Sequence, residues 1–128
     1  MEKNKKLIPG LPTGFEDRWD KKLYLKKKLL SLIEENFIKY GFEPLETPSF
    51  EISENIGSFL ADDDSNPMSD VFTFNDGEKN ITLRYDLSSP LARFVAQNNQ
   101  QLPLPYKRYA IQNVFRNEKA GNARYREF

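Results

Sequence analysis

Three arginines, two glutamates and three aromatic residues crowd into the segment VFRNEKAGNARYREF, residues 114–128. Arg116 and Glu118 stand two apart, so on a strand both point to one face, and Arg124 and Arg126 do the same on a returning strand. Guanidinium groups held on a sheet can fork onto phosphate oxygens, and a carboxylate beside them can accept from an amine or order a neighbouring arginine. The same residues also fit a cross-strand salt-bridge ladder on a solvated sheet.

A second cluster is LRYDLSSP, Leu83 to Pro90, where a strand gives way to a helix. Asp86 there could accept from a substrate ammonium group, with Ser88 hydrogen-bonding beside it at the helix N-terminus. Simple capping of the helix by Asp or Ser fits equally well.

The chain contains neither Cys nor His. Thiol nucleophiles, disulfides, zinc–thiolate centres, a Ser-His-Asp triad and a histidine base are thereby excluded within these 128 residues. Chemistry must run on carboxylates, arginines, hydroxyls and backbone amides. Equal numbers of acidic and basic residues, 19 of each, leave no net field. The distribution is uneven, however. Glu43 to Glu78 holds ten acidic and no basic residues, whereas Pro105 to Phe128 holds six basic and two acidic ones, so an anion is drawn to the C-terminal end.

The elements that must position these groups follow from periodicity. Trp19, Leu23, Leu30, Ile33 and Phe37 recur at helical spacing, with lysines and glutamates between them and Gly41 after, which predicts an amphipathic helix over Trp19 to Tyr40. Its lysine cluster is read as a solvated face. Phe42 to Thr47 reads as a short strand closed by Pro48, and Ser49 to Phe59 as a weaker helical stretch. Ala61 to Pro67, with three aspartates, reads as a solvated loop. Val71 to Phe74 and Ile81 to Tyr85 alternate around NDGEKN and predict a hairpin. Ser88 or Ser89 then caps a helix with Pro90 in its first turn and Leu91, Phe94 and Val95 on its buried face. Leu102 to Pro105 is a connector, Tyr106 to Phe115 a strand, and another strand starts at Arg124. The class is α+β with a mainly antiparallel sheet, in one domain.

The N-terminal residues include Glu2 and no arginine, and no segment approaches the roughly 20 apolar residues of a membrane span, so the expectation is a cytoplasmic protein without a membrane partner.

Together these blocks resemble the class II aminoacyl-tRNA synthetases, and within them the histidyl family in its alphaproteobacterial form. FRNE followed by RYREF is similar to motif 2, LRYDLSSPLAR to the family's amino-acid-binding strand, the helix plus YGFEPLETPSFE to motif 1, and GLPTGFEDRW to its opening segment. The resemblance runs from about residue 8 to 128, with motif 1 at about 19–50, the amino-acid-binding strand at about 81–93 and motif 2 at about 107–128. It implies a class II antiparallel sheet flanked by helices, truncated, with motif 3 and the anticodon-binding domain outside this chain. It also implies ATP with Mg²⁺, L-histidine and tRNA-His as substrates, no protein-bound metal, and a homodimer built through motif 1. By position, Arg116 resembles the arginine that holds the ATP α-phosphate and the histidine carboxylate. Glu118 matches the glutamate near the adenine amino group, Arg124 the arginine reaching the γ-phosphate, and Phe128 the aromatic stacked on adenine. Asp86 and Ser88 match the groups that hold the substrate amine. The isolated 128 residues are then expected to bind ATP weakly and not to charge tRNA.

Some positions depart from the family pattern. Ser88 replaces a usual threonine but keeps the hydroxyl, and Ala120 and Ala123 stand where relatives often carry Pro and Gly. Competing readings are the regulatory subunit of ATP phosphoribosyltransferase, a paralogue with no charging activity, another class II enzyme such as the threonyl or prolyl one, and a non-catalytic interaction module. Retention of Arg116, Glu118, Arg124 and Asp86 favours the synthetase over that paralogue.

Overall fold

A computed structural model describes residues 8–56, 70–119, 121–122 and 124–128. The predicted Ala61–Pro67 loop and the two alanines of the 117–123 turn lie outside those residues. Helix α1 runs Asp20–Lys39. It stops where the sequence places its breaker: Gly41 adopts φ 77°, its amide bonds back to Ile38, and the Phe42 amide reaches the Phe37 carbonyl at 3.0 Å. That pair of bonds is a Schellman motif, and the Phe37–Phe42 ring contact at 5.7 Å supplies its hydrophobic clasp. The predicted helix begins one residue early, because Trp19 is extended and 75% exposed. No residue of α1 is buried, and Tyr24, Leu25, Leu29, Leu32 and Ile38 face solvent.

Strand β1 is only Glu43–Pro44 and pairs in parallel with β5, Arg108–Tyr109, a departure from the antiparallel expectation for this segment. Glu43 and Leu45 donate to Lys107 and Tyr109, so the missing N–H of Pro44 falls on the side turned away from the partner. Phe37 stacks on Tyr109 at 5.2 Å and fixes α1 against this pair.

The main sheet is antiparallel with order β2–β4–β3: β2 is Phe50–Ile52, β3 Thr73–Asn75 and β4 Asn80–Leu83. The predicted hairpin is β3–β4, closed by Gly77 at φ 104° and by Asp76, whose carboxylate accepts from the Glu78 and Lys79 amides. The helix expected over Ser49–Phe59 is corrected at its start: residues 50–52 form β2, Ser53–Ile56 turn into a short helix, α2, and residues 57–59 lie outside the described residues. The sheet wins because Glu51, not its apolar neighbours, is the inward residue. It is 5% exposed and takes a bidentate hold from Arg93 at 2.7 and 2.8 Å. Beside it, Ser53 and Thr82 share a buried hydroxyl hydrogen bond of 2.6 Å. Phe50, Ile52 and Phe74 are left on the exposed side.

Helix α3 spans Ser88–Asn98 with Pro90 buried in its first turn. Neither serine caps it. Asp86 Oδ1 accepts from the Ser89 amide at 2.9 Å instead. The expected apolar face is only half-buried at Leu91 and Phe94, and Val95 is exposed. The core gathers Ile56, Val71, Tyr109 and Val114 around the polar residues Glu51, Ser53, Thr82 and Arg84.

Candidate functional site

The 114–128 segment folds back on itself as the sequence predicts, although less regularly than two full strands. Val114 and Phe128 exchange both backbone bonds, at 2.8 and 3.2 Å, Phe115 bridges Glu127, and the Arg116 amide reaches the Arg126 carbonyl at 2.9 Å. The ladder then breaks. The Arg126 amide donates not across the hairpin but outward, to the Gly14 carbonyl at 2.8 Å.

That diversion separates two arginines expected on one face. Arg126 turns onto the Phe72 ring at 4.7 Å, with Nη1 on the Thr13 carbonyl and Nη2 on Asn117, and so braces the N-terminal segment. Arg116, Glu118, Arg124 and Phe128 instead line one cleft of about 330 Å³ together with Tyr125. Two cationic forks, one carboxylate and two aromatic rings thus converge in a space the size of a small ligand's head.

Within the cleft, the Arg116 guanidinium sits over the Tyr85 ring at 4.3 Å and near the Phe128 ring at 5.2 Å. Its nearest carboxylate, Glu118, is 4.0 Å from Nη1, longer than a hydrogen bond. Arg116 Nε is buried and has no hydrogen-bond partner among the described residues. Arg126 Nε is buried and unpartnered in the same way, so such a donor does not by itself mark an anion site. Burial raises the Tyr85 pKa, Arg116 opposes the rise, and the hydrogen bond from the Tyr85 hydroxyl to Glu118 at 3.2 Å adds to it.

Asp86 and Ser88 are not part of that lining. Ser88 is exposed on the first turn of α3, and one Asp86 oxygen is engaged in capping. Asp86 nonetheless follows directly on Tyr85, which touches Arg116, so the two clusters share one backbone step.

Two supporting residues escaped the sequence reading. Arg84, 4% exposed, sends its guanidinium to the carbonyls of Asn113 and Thr47, and its own carbonyl accepts from Phe115 at 3.0 Å. It thereby fixes the first arm of the hairpin to β4. Desolvation lowers its pKa, with Glu46 and Glu51 opposing. Tyr85 was visible only as a member of the LRYD run. A second cleft, of about 340 Å³ beside the start of α1, is lined by Trp19, Lys22 and Lys26 with Arg18, which is already paired with Glu16 at 3.1 Å. Among the described residues no three acidic or imidazole side chains gather to hold a metal ion, and no helix is long and apolar enough to cross a membrane.

Residues 16–128 match the family described as tRNA synthetases class II core domain (F). Over all 128 residues the chain is 82% identical to the histidine--tRNA ligase of Pelagibacter ubique (strain HTCC1062), covering 28% of that protein. The histidyl-tRNA synthetase of Nostoc sp. PCC 7120 superposes with a TM-score of 0.74 at 28% identity, over 93% of this chain and 26% of that one. A Bacillus halodurans C structure described as an ATP phosphoribosyltransferase regulatory subunit/histidyl-tRNA synthetase gives a TM-score of 0.77 at 27% identity, over 97% and 31%. The chain spans about a quarter of the length of the curated relatives it matches.

Proposed function

The chain belongs to the family of class II tRNA synthetase core domains, and we propose that it carries motifs 1 and 2 of a histidine--tRNA ligase. In this reading ATP, as its Mg²⁺ complex, binds the Arg116–Glu118–Arg124–Phe128 cleft. The histidine carboxylate attacks the α-phosphorus, pyrophosphate leaves, and the histidyl group of the resulting adenylate passes to the 3′ end of tRNA-His. Arg116 holds the α-phosphate and the attacking carboxylate, so its charge acts where negative charge builds in the transition state. Arg124 takes the γ-phosphate, Phe128 stacks on adenine and Glu118 accepts from its amino group. Asp86 and Ser88 hold the substrate amine, which requires Asp86 to offer its second oxygen. No step calls for a protein nucleophile, in keeping with the lack of Cys and His.

The observation that carries this reading is the convergence of four separately motivated side chains on one cleft. The 82% identity to a histidine--tRNA ligase supports the amino acid. A homodimer through motif 1 is supported by the exposed apolar residues of α1 and of Phe50 and Ile52 on β2, which need a cover. A cytoplasmic location accompanies the function.

The test is pyrophosphate exchange by the intact protein with histidine, threonine or proline. Exchange with histidine alone is the expected result. Bound ATP without exchange for any of the three moves the assignment to the regulatory paralogue, a name that the Bacillus halodurans structure also carries.

A further inference from the structure

Tyr85 touches both charged groups that begin the cleft. Its ring lies 4.3 Å from the Arg116 guanidinium, and its hydroxyl donates to Glu118 Oε1 at 3.2 Å. The two charged residues are themselves 4.0 Å apart, so the short polar contact of the Glu118 carboxylate is with the phenol. Tyr85 also stands on the firmer element. The preceding residue, Arg84, is tied through its amide to Ser49 and through its carbonyl to Phe115, both within 3.0 Å. Glu118, by contrast, lies between the two isolated bridges of the hairpin, Phe115–Glu127 and Gly121–Arg124, and belongs to neither.

We propose that Tyr85 is a positioning residue for nucleotide specificity: its hydroxyl holds one Glu118 oxygen so that the other faces the cleft as an acceptor for the exocyclic amino group of adenine, while its ring keeps the Arg116 fork in place. A carboxylate accepts and cannot donate, so a base carrying an oxo group at that position is rejected only if the carboxylate is held there. A tyrosine phenol is protonated, hence a donor, through the neutral range, and burial raises its pKa further. The inference rests on the assignment of the cleft to ATP.

The experiment compares ATP with inosine triphosphate, which has an oxo group in place of the amino group, in histidine-dependent pyrophosphate exchange by the intact protein. Tyr85→Phe keeps the ring and removes the hydroxyl. It should lower kcat/KM for ATP by roughly tenfold, the size of one hydrogen bond to a charged group, leave inosine triphosphate and the KM for histidine nearly unmoved, and so narrow the preference. Glu118→Ala should narrow it too, and Tyr85→Phe added to Glu118→Ala should change nothing further. Equal losses with both nucleotides, or losses that multiply in the double variant, overturn the role of Tyr85 while leaving the ATP cleft intact. A wild-type protein that neither exchanges with any amino acid nor binds ATP removes the ATP assignment itself, and this inference with it.

Discussion

Arg84 and Asn113 are bonded side chain to backbone across 29 residues, with the Arg84 Nε–H donating to the Asn113 carbonyl. The same guanidinium reaches the Thr47 carbonyl at 2.9 Å, so one buried fork joins the segment that follows β1, the end of β4 and the arm that carries Arg116.

Replacing Arg84 with Met should therefore take the donor from the half-buried Asn113 carbonyl, leave the Thr47 carbonyl only its bond from Gln112 Nε2 at 2.9 Å, and cost about 2 kcal/mol of stability. Arg84→Lys should recover less than half of that, because an ammonium on a flexible stem does not reproduce the planar fork. Urea unfolding of the intact protein measures both. A loss below about 0.5 kcal/mol for the Met variant, the range of an ordinary surface change, would show that the fork is incidental.

Glu51 and Arg93 should couple strongly. The carboxylate is 5% exposed, and its hydrogen bond raises the Arg93 pKa, so the guanidinium stays charged at any ordinary pH. Arg93→Met strands a buried charge and should cost about 2–4 kcal/mol, somewhat less than a fully buried pair because the Arg93 side chain is one-quarter exposed. Adding Glu51→Gln to that variant should restore part of the loss. Additive losses in denaturation would contradict the coupling.

How much of this was legible in the sequence depends on the range of the interactions that decide it. Helix α1 and the β3–β4 hairpin rest on local signals, the 3–4 spacing ended by Gly41 and the Asn-Asp-Gly turn, and both formed where expected. Strand β2 was misread as helix because Glu51 looks like a solvent residue until Arg93, 42 positions later, is known to cover it. In the cleft, strand parity rightly grouped Arg116 with Glu118. It failed for Arg126, since the carbonyl that captures its amide belongs to Gly14, at the far end of the chain. At α3 the sequence left capping open between Asp86 and the two serines, and the Ser89 amide bonds to Asp86.

The β3–β4 turn should loosen in acid. Backbone hydrogen bonds from Lys79 and Glu78 lower the Asp76 pKa below the usual carboxylate value. A carboxyl depressed by folding contributes stability that is complete above its unfolded pKa and is lost as pH falls through the folded one. Amide exchange at Glu78 and Lys79 should accelerate across that acidic window. Asp76→Asn keeps an acceptor oxygen but does not titrate, so its exchange should lose this pH step. A step that persists in the variant would assign the effect to another group.

Arg124 and Arg126 are two residues apart but should fail in different assays. Arg124 is exposed and lines the cleft, so Arg124→Ala should raise the KM for ATP about tenfold, the loss of one charge-assisted contact, while stability stays within about 0.5 kcal/mol. Arg126 instead grips Phe72, Thr13 and Asn117. Arg126→Ala should lower stability by about 1–3 kcal/mol through the lost cation–π contact and hydrogen bonds, with a KM for ATP changed less than twofold at temperatures where the protein stays folded. Thermal unfolding and pyrophosphate exchange, run on both variants, separate the two effects. Their reversal, with Arg126→Ala the stronger on ATP, would mean that the hairpin re-registers in the intact protein and that both arginines turn to the nucleotide.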